Sequence, residues 1–261
     1  MKSFINNSLR EAANLLNTQW DKKQFLEYKE CNGKIDYNQI VTNHDLMIED
    51  FLVKKIQKEF PNTNIISEEK SFNVFSLEKP TWVIDPIDGS MNYFRGLNFY
   101  CLSLSYWENN EPIFGSVYSP YNNEMFHAAR KKGATLNEIP INVSKIKDLN
   151  NSLIFLSGFD SFKKQKKERQ YFNLVTSIKN MRVFSSTVLD MCYIAAGRCD
   201  GRVYSYCKFW DLSASKLILE EAGGLVTDWQ GNPNNIFSPY IIASNKYIHN
   251  TLKKLVENET T

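Results

Sequence analysis

Carboxylates stand where apolar runs stop, and no other feature of the chain constrains its fold as much. Trp82, Val83 and Ile84 break off at Asp85-Pro86-Ile87-Asp88-Gly89, and Asn64, Ile65 and Ile66 form a short strand that delivers Ser67, Glu68, Glu69 and Lys70. Asp211 follows Trp210 at the start of a helical stretch that closes on Gly223 and Gly224. If these ends converge, their charges repel. At ~4 Å and an effective dielectric of ~20, each like-charged pair costs about 4 kcal/mol. A fold that gathers Glu68, Asp85, Asp88 and Asp211 therefore needs protons or cations, and carboxylate oxygen is the ligand type that suits magnesium.

The spacing inside Asp85-Pro86-Ile87-Asp88 sharpens this expectation. A straight strand points residues 85 and 88 to opposite faces, whereas a bend at Pro86 lets both carboxylates and the Ile87 carbonyl converge. Gly89 and Ser90 then open a helix whose free backbone N–H groups suit phosphate, with Gly89 permitting close approach of the anion. Taken singly, each residue has a plainer reading: Asp88-Gly89 as a turn, Asp211 and Asp45 as helix caps, Glu68 and Glu69 as solvated loop charges. Their joint order carries the inference.

Around these residues the chain reads as α/β. Ile5, Leu9, Ala12, Ala13, Leu16 and Trp20 recur at helical spacing, and Tyr28 to Gln39 reads as a polar loop. Thr42 and Asp45 have capping-box spacing before a helix whose buried face is Ile48, Phe51, Leu52, Ile56 and Phe60, ended by Pro61. Leu102, Leu104 and Tyr106 alternate with serines and lead into an antiparallel meander through Arg130. Beyond it, short strands at 153–156, 182–184, 202–206, 224–227 and 240–243 alternate with helical stretches. A soft boundary near residue 145 divides the chain into closely packed halves, 1–145 with most of the acids and 146–261 with Asp211.

Net charge +2 gives no broad field for nucleic acid or an anionic membrane, and no run approaches the ~20 apolar residues needed to cross a bilayer. The cysteines, 5 in number and without a Cys-x-x-Cys pair, fit a reducing cytoplasm. His44, His127 and His249 are scattered and read as structural, and Lys163, Lys164, Lys166, Lys167 and Arg169 read as a solvated helix face.

The joint pattern resembles the inositol monophosphatase family of magnesium-dependent, often lithium-sensitive phosphatases. The matching residues are Ser67-Glu68-Glu69, the run from Trp82 to Phe94, and Trp210-Asp211 with Glu221-Ala222-Gly223-Gly224, with softer similarity over nearly the whole chain. The resemblance implies a layered α/β sandwich of alternating helices and sheets, usually a homodimer. By position it makes Glu68, Asp85, Asp88, Asp211 and the Ile87 carbonyl the metal ligands, and it pairs Ser90, where the family commonly has Thr, with Asp45. Gly89 and Ser90 bind phosphate through backbone N–H groups, Ser185, Ser186 and Thr187 line the alcohol side, and Lys34 corresponds to a loop residue near the metals.

The implied reaction is phosphomonoester hydrolysis with two or three Mg²⁺ ions. Metal lowers the pKa of a bound water, Glu68 and the Ser90/Asp45 pair orient it, and in-line attack on phosphorus follows while a second ion stabilises the leaving alkoxide. Four carboxylates and a phosphate dianion sum to about −6, so two ions leave about −2 and a third is admissible. The expected substrate is inositol monophosphate or a similar small polyol or sugar phosphate. Tyr204 stands where inositol phosphatases often carry Glu, and Lys208 is placed to meet a further anionic group or simply to be solvated. Alternatives on the same scaffold are a 3′(2′),5′-bisphosphate nucleotidase, a histidinol-phosphatase or a fructose-1,6-bisphosphatase, and, outside enzymes, a regulatory RNA-binding relative.

Overall fold

The protein is represented by a computed structural model that describes residues 1–19, 26–31, 34–70, 79–233, 235 and 237–257. Its architecture is five layers, helix and sheet in alternation. The outer helical layer is α1 (Lys2–Gln19) with α2 (Asn43–Glu59), laid on a seven-stranded sheet. In spatial order that sheet is β3 (Asn64–Ser67), β4 (Thr81–Asp88), β5 (Cys101–Glu108), β6 (Glu111–Ser119), β7 (Glu124–Ala129), β8 (Ala134–Leu136) and β9 (Ile139–Ile141). Only β3 and β4 pair in parallel; the rest is the meander that the alternation in 101–130 predicts.

The middle layer holds α6 (Thr187–Ala195), α7 (Phe209–Ser213) and α8 (Ser215–Glu221), with α6 and α8 touching both sheets. Next comes a five-stranded sheet in the order β11 (Asn180–Arg182), β10 (Leu153–Leu156), β12 (Gly201–Tyr204), β14 (Ile241–Asn245) and β13 (Gly224–Asp228). The far layer contains α4 (Phe159–Lys164), α5 (Glu168–Ser177) and α9 (His249–Val256). α3 (Ser90–Phe94) is a short helix continuing from β4.

Strand periodicity explains the layering. On β12 and β14, Tyr204, Ile241 and Ala243 enter the core shared with α6 and α8, while Val203 and Ile242 enter the core shared with α9. On the first sheet, Ile5, Leu9, Ala12, Ala13 and Leu16 of α1 join Ile48, Leu52 and Ile56 of α2 against Trp82, Leu102 and Leu104, all buried. Gly115 of β6 lets the middle layer approach, because a Cβ there would lie 3.0 Å from the Ala214 Cα at the junction of α7 and α8. That junction carries Asp211 toward the end of β4.

Several sequence expectations need correction. The polar stretch from Tyr28 to Gln39 is not a loop but part of an antiparallel ribbon, β1 (Leu26–Cys31) with β2 (Lys34–Thr42), in which Leu26 faces Thr42 across the ladder. β4 does not stop at Asp85; it runs through Asp88. The strand placed at 182–184 lies at Asn180–Arg182, and the helix after Trp210 is two short helices broken at Ala214. Among the described residues no helix is long and apolar enough to cross a membrane. Trp20 lies outside the described residues.

Candidate metal and phosphate site

A β-bulge solves the geometric problem posed by residues 85 and 88. Asp85 pairs with Ser103 and Asp88 with Cys101, so three steps along β4 oppose two along β5. The extra residue reverses the face alternation and brings both acids to one side. Pro86 sits inside the irregularity, where its missing N–H removes no ladder bond. Asp211 comes from α7, anchored by the Lys208 N–H, which donates to its Oδ2 at 2.8 Å, and by the Ser215 hydroxyl, which donates to its carbonyl at 2.6 Å. Asp85, Asp88 and Asp211 each offer a carboxylate oxygen, and these oxygens lie within 4.8 Å of one another.

Burial and mutual repulsion both act on this cluster. Asp85 is 1% exposed and Asp88 8%, while Asp211 is half-buried. Burial raises the Asp88 and Asp211 carboxyls above the ordinary carboxylate range, and the Glu68 charge adds to both. Asp211 also feels Asp88. Glu68 is half-exposed on the turn after β3, near enough for its charge to act on Asp88 and Asp211, but its oxygens are not among those that lie within 4.8 Å of one another. Such a donor set fits a hard divalent cation, whose charge would remove the repulsion that otherwise holds protons on the site.

Ser90 connects the cluster to α2. Its Oγ lies 2.9 Å from Asp45 Oδ1 and 2.8 Å from the Ile87 carbonyl. One hydroxyl proton serves one acceptor at a time, so the group can switch between them. Asp45 Oδ2 accepts from the Thr42 N–H at 2.7 Å and from the Thr42 hydroxyl at 2.5 Å, so the residue completes the expected capping box and also faces Ser90. Burial pushes the Asp45 carboxyl up to about 6 against the hydrogen bonds from Thr42 and Ser90. His44 adds a second tie between α2 and α3, its Nδ1 lying 2.7 Å from the Tyr93 hydroxyl.

Gly89 has φ +89°, and a Cβ there would lie 3.0 Å from the Phe99 carbonyl oxygen and 3.3 Å from Ser186 Cβ. Only glycine meets both demands. Glu49, which the sequence reading passed over, is fully buried on α2 and accepts the Glu69 N–H at 2.9 Å, fixing the turn that carries Glu68. Its helical spacing from Asp45 is the one signal that could have found it.

The residues expected on the alcohol side divide. Ser185 is exposed with φ +58° and Thr187 is half-buried, but Ser186 is fully buried, with its hydroxyl donating to Asp88. The Thr187 N–H donates to Asp88 Oδ1 at 3.0 Å and the Val188 N–H to Oδ2 at 2.9 Å. The buried Ser186 hydroxyl therefore supports an acid. Tyr204, also expected on the substrate side, is fully buried, and its hydroxyl donates to the Thr187 carbonyl at 3.0 Å. Lys208 is half-buried, its Nζ 4.9 Å from the Tyr206 ring centroid. The Lys34 side chain lies outside the described residues.

The histidines are structural. His127 Nδ1 meets Ser116 Oγ at 2.8 Å, and His249 bridges Ser244 and Thr227 at 2.7 and 3.0 Å. Cys192 and Cys199 are buried packing residues.

Comparison with known proteins gives one consistent result. A profile described as the inositol monophosphatase family matches residues 1–261. A Thermotoga maritima protein named fructose-1,6-bisphosphatase/inositol-1-monophosphatase is 34% identical over 248 residues, covering 95% of this chain and 92% of that protein. The Nus factor SuhB of Xylella fastidiosa is 35% identical over 225 residues, covering 85% and 79%. A solved structure of a Thermotoga maritima IMPase superposes with a TM-score of 0.84 at 32% identity, covering 97% of this chain and 95% of that one.

Proposed function

The chain belongs to the inositol monophosphatase family, and from that premise we propose that it is a Mg²⁺-dependent phosphomonoesterase of inositol monophosphate or a similar small polyol or sugar phosphate. The observation that carries the reading is the convergence of Asp85, Asp88 and Asp211, with oxygens within 4.8 Å, at the end of the strand that continues into Ser90, itself 2.9 Å from Asp45.

Glu68, Asp85, Asp88, Asp211 and the Ile87 carbonyl would hold two or three ions. Bound there, Mg²⁺ would supply a lower pKa for a coordinated water and positive charge for the phosphoryl oxygens. The Gly89 and Ser90 amides take phosphoryl oxygens from the opposite side. Asp45, once ionised, accepts the Ser90 proton, which frees an oxygen lone pair of Ser90 to receive a proton from the attacking water. Glu68 orients that water from the turn after β3. Ser185 and Thr187 border the alcohol side, and the Lys208 ammonium favours substrates with a further anionic group. The proposal includes a homodimer acting in the cytoplasm.

The test is phosphate release from inositol 1-phosphate, fructose 1,6-bisphosphate, adenosine 3′,5′-bisphosphate and histidinol phosphate, each with and without Mg²⁺. Preference for the first supports the leading reading; preference for another reassigns the substrate on the same site. The relatives named Nus factor SuhB and the basic run of 163–169 motivate a second reading, a regulatory RNA-binding protein. Absence of turnover on the whole panel together with tight, salt-dependent RNA binding would favour it.

A further inference from the structure

Asp88 is held from a distance. Its carboxylate projects from β4, yet apart from the Cys101 thiol, which donates at 3.7 Å, the donors that fix it belong to the first turn of α6, about a hundred residues later: the Ser186 hydroxyl and the Thr187 and Val188 N–H groups. Both oxygens are engaged, so the direction in which Asp88 offers its remaining lone pairs depends on where that turn sits. The turn is in turn gripped from β12. The Tyr204 hydroxyl donates to the Thr187 carbonyl at 3.0 Å, and the Arg202 guanidinium forms an ion pair with Asp190 on α6. Arg202 and Tyr204 are two residues apart on one strand and so share its face. The guanidinium carbon lies 4.5 Å from the Tyr204 ring centroid, which braces the pair internally.

All three groups lie inside the core, with Tyr204 and Asp190 at 0% and Arg202 at 3% exposure. A buried ion pair adds little net stability compared with apolar residues of the same volume, because desolvating two charges offsets their attraction. What it supplies is attachment, since a charge on β12 and its counter-charge on α6 cannot separate in the core without leaving each unpaired.

We propose that Arg202, Asp190 and Tyr204 form a clamp that fixes Asp88 in its metal-binding orientation through the first turn of α6. They are positioning residues, and the inference rests on the reading of Asp88 as a metal ligand.

The discriminating variants are the double substitution Asp190→Asn/Arg202→Met and the single Tyr204→Phe. The double variant changes net charge by zero and leaves no lone buried charge; the Arg202 cation it removes acts on Asp88 and Asp211, and losing a cation there by itself favours Mg²⁺, so a weaker affinity is not explained by that charge. Tyr204→Phe removes one hydroxyl and no charge. Mg²⁺ affinity is measured by calorimetric titration of the purified full chain, with melting temperature followed in parallel and kcat and KM taken across Mg²⁺ concentrations. Loss of a partner behind a metal ligand weakens metal binding about 10- to 100-fold. That is the expected result for the double variant, with a smaller loss in Tyr204→Phe and with kcat restored by excess Mg²⁺ in both.

Folded variants that bind Mg²⁺ as tightly as wild type overturn the clamp. So does a kcat loss that excess Mg²⁺ cannot repair, because that is a packing defect. If the double variant fails to fold, Tyr204→Phe decides alone, unchanged affinity counting against the proposal. A wild-type protein that takes up no Mg²⁺ defeats the metal reading itself, a result separable from a variant-specific failure.

Discussion

Replacing Asp211 with Asn should make the metal-free protein more stable while strongly weakening its response to Mg²⁺. The oxygens of Asp85, Asp88 and Asp211 lie within 4.8 Å of one another, a separation at which two full charges repel by about 3.5 kcal/mol in an effective dielectric of about 20. Asp211→Asn removes its repulsion with both neighbours and keeps a side-chain oxygen for the Lys208 N–H, the anchor seen at 2.8 Å. Burial already raises the Asp88 and Asp211 carboxyls, so protons relieve part of the repulsion at neutral pH. The expected gain is therefore nearer one pair than two, roughly 2–3 kcal/mol at pH 8, or about 4–10 °C in melting temperature for a chain of this size.

The sign with pH follows from the direction of the shift. A carboxyl whose pKa is raised in the folded state binds more protons there than in the unfolded chain, so it destabilises the fold as pH rises above the unfolded value. The gain from Asp211→Asn should be largest at pH 8 and shrink toward pH 4. Saturating Mg²⁺ at 100 times its dissociation constant should stabilise wild type by about 2.7 kcal/mol and the variant far less. Scanning calorimetry at pH 8 and pH 5, with and without Mg²⁺, tests all of this. A variant that melts no higher than wild type without metal, or that keeps the full Mg²⁺ shift, would refute the picture of a repulsive nest relieved by cations.

Asp85→Asn should abolish turnover on every substrate of the panel while leaving the circular dichroism spectrum unchanged. Ser90→Ala, which deletes the hydroxyl shared by Asp45 and the Ile87 carbonyl, should lower kcat about 10²-fold with little change in KM; a larger effect on KM would show that Ser90 binds rather than activates. Asp45, with its carboxyl pushed up to about 6, must be ionised to accept the Ser90 proton, so kcat should fall with decreasing pH on a limb at or below pH 6, bound cations moving the limb down. A flat profile to pH 4.5 would remove Asp45 from the proton path. Gly89→Ala should cost about 1–2 kcal/mol from its left-handed φ alone, with further loss from the Phe99 carbonyl 3.0 Å from the new Cβ, read as a lower urea midpoint and weaker phosphate inhibition.

Much of this site could be read from the chain before any coordinates. The capping box of Thr42 and Asp45 forms as its spacing requires, and the apolar stripes of α1 and α2 are buried where helical periodicity puts them. These are local properties, fixed by neighbours within a turn. The ribbon of β1 and β2 escaped notice because its alternation is short, Leu26 and Tyr28 on one strand and Ile35 and Tyr37 on the other, and is broken by the polar pairs Lys29-Glu30 and Asn38-Gln39. Pro86 suggested a bend, but the device proved to be a bulge, which exists only when a partner strand is present to be out of step.

The support of the acids was the least legible. Ser186 and Thr187 read as contacts for an alcohol, and Tyr204 as a substitute for a substrate-binding acid. The structure adds a chain of hydrogen bonds behind Asp88, from the Ser186 hydroxyl and the Thr187 N–H to its carboxylate and from the Tyr204 hydroxyl to the Thr187 carbonyl. The sequence by itself determined which groups could do chemistry, because residue type and the ends of apolar runs dictate where charges must collect and what must neutralise them. Only the tertiary structure decided which oxygens face one another and what holds them there. Orientation depends on contacts such as Asp88 with α6 and Arg202 with Asp190, and no local preference encodes the approach of groups far apart along the chain.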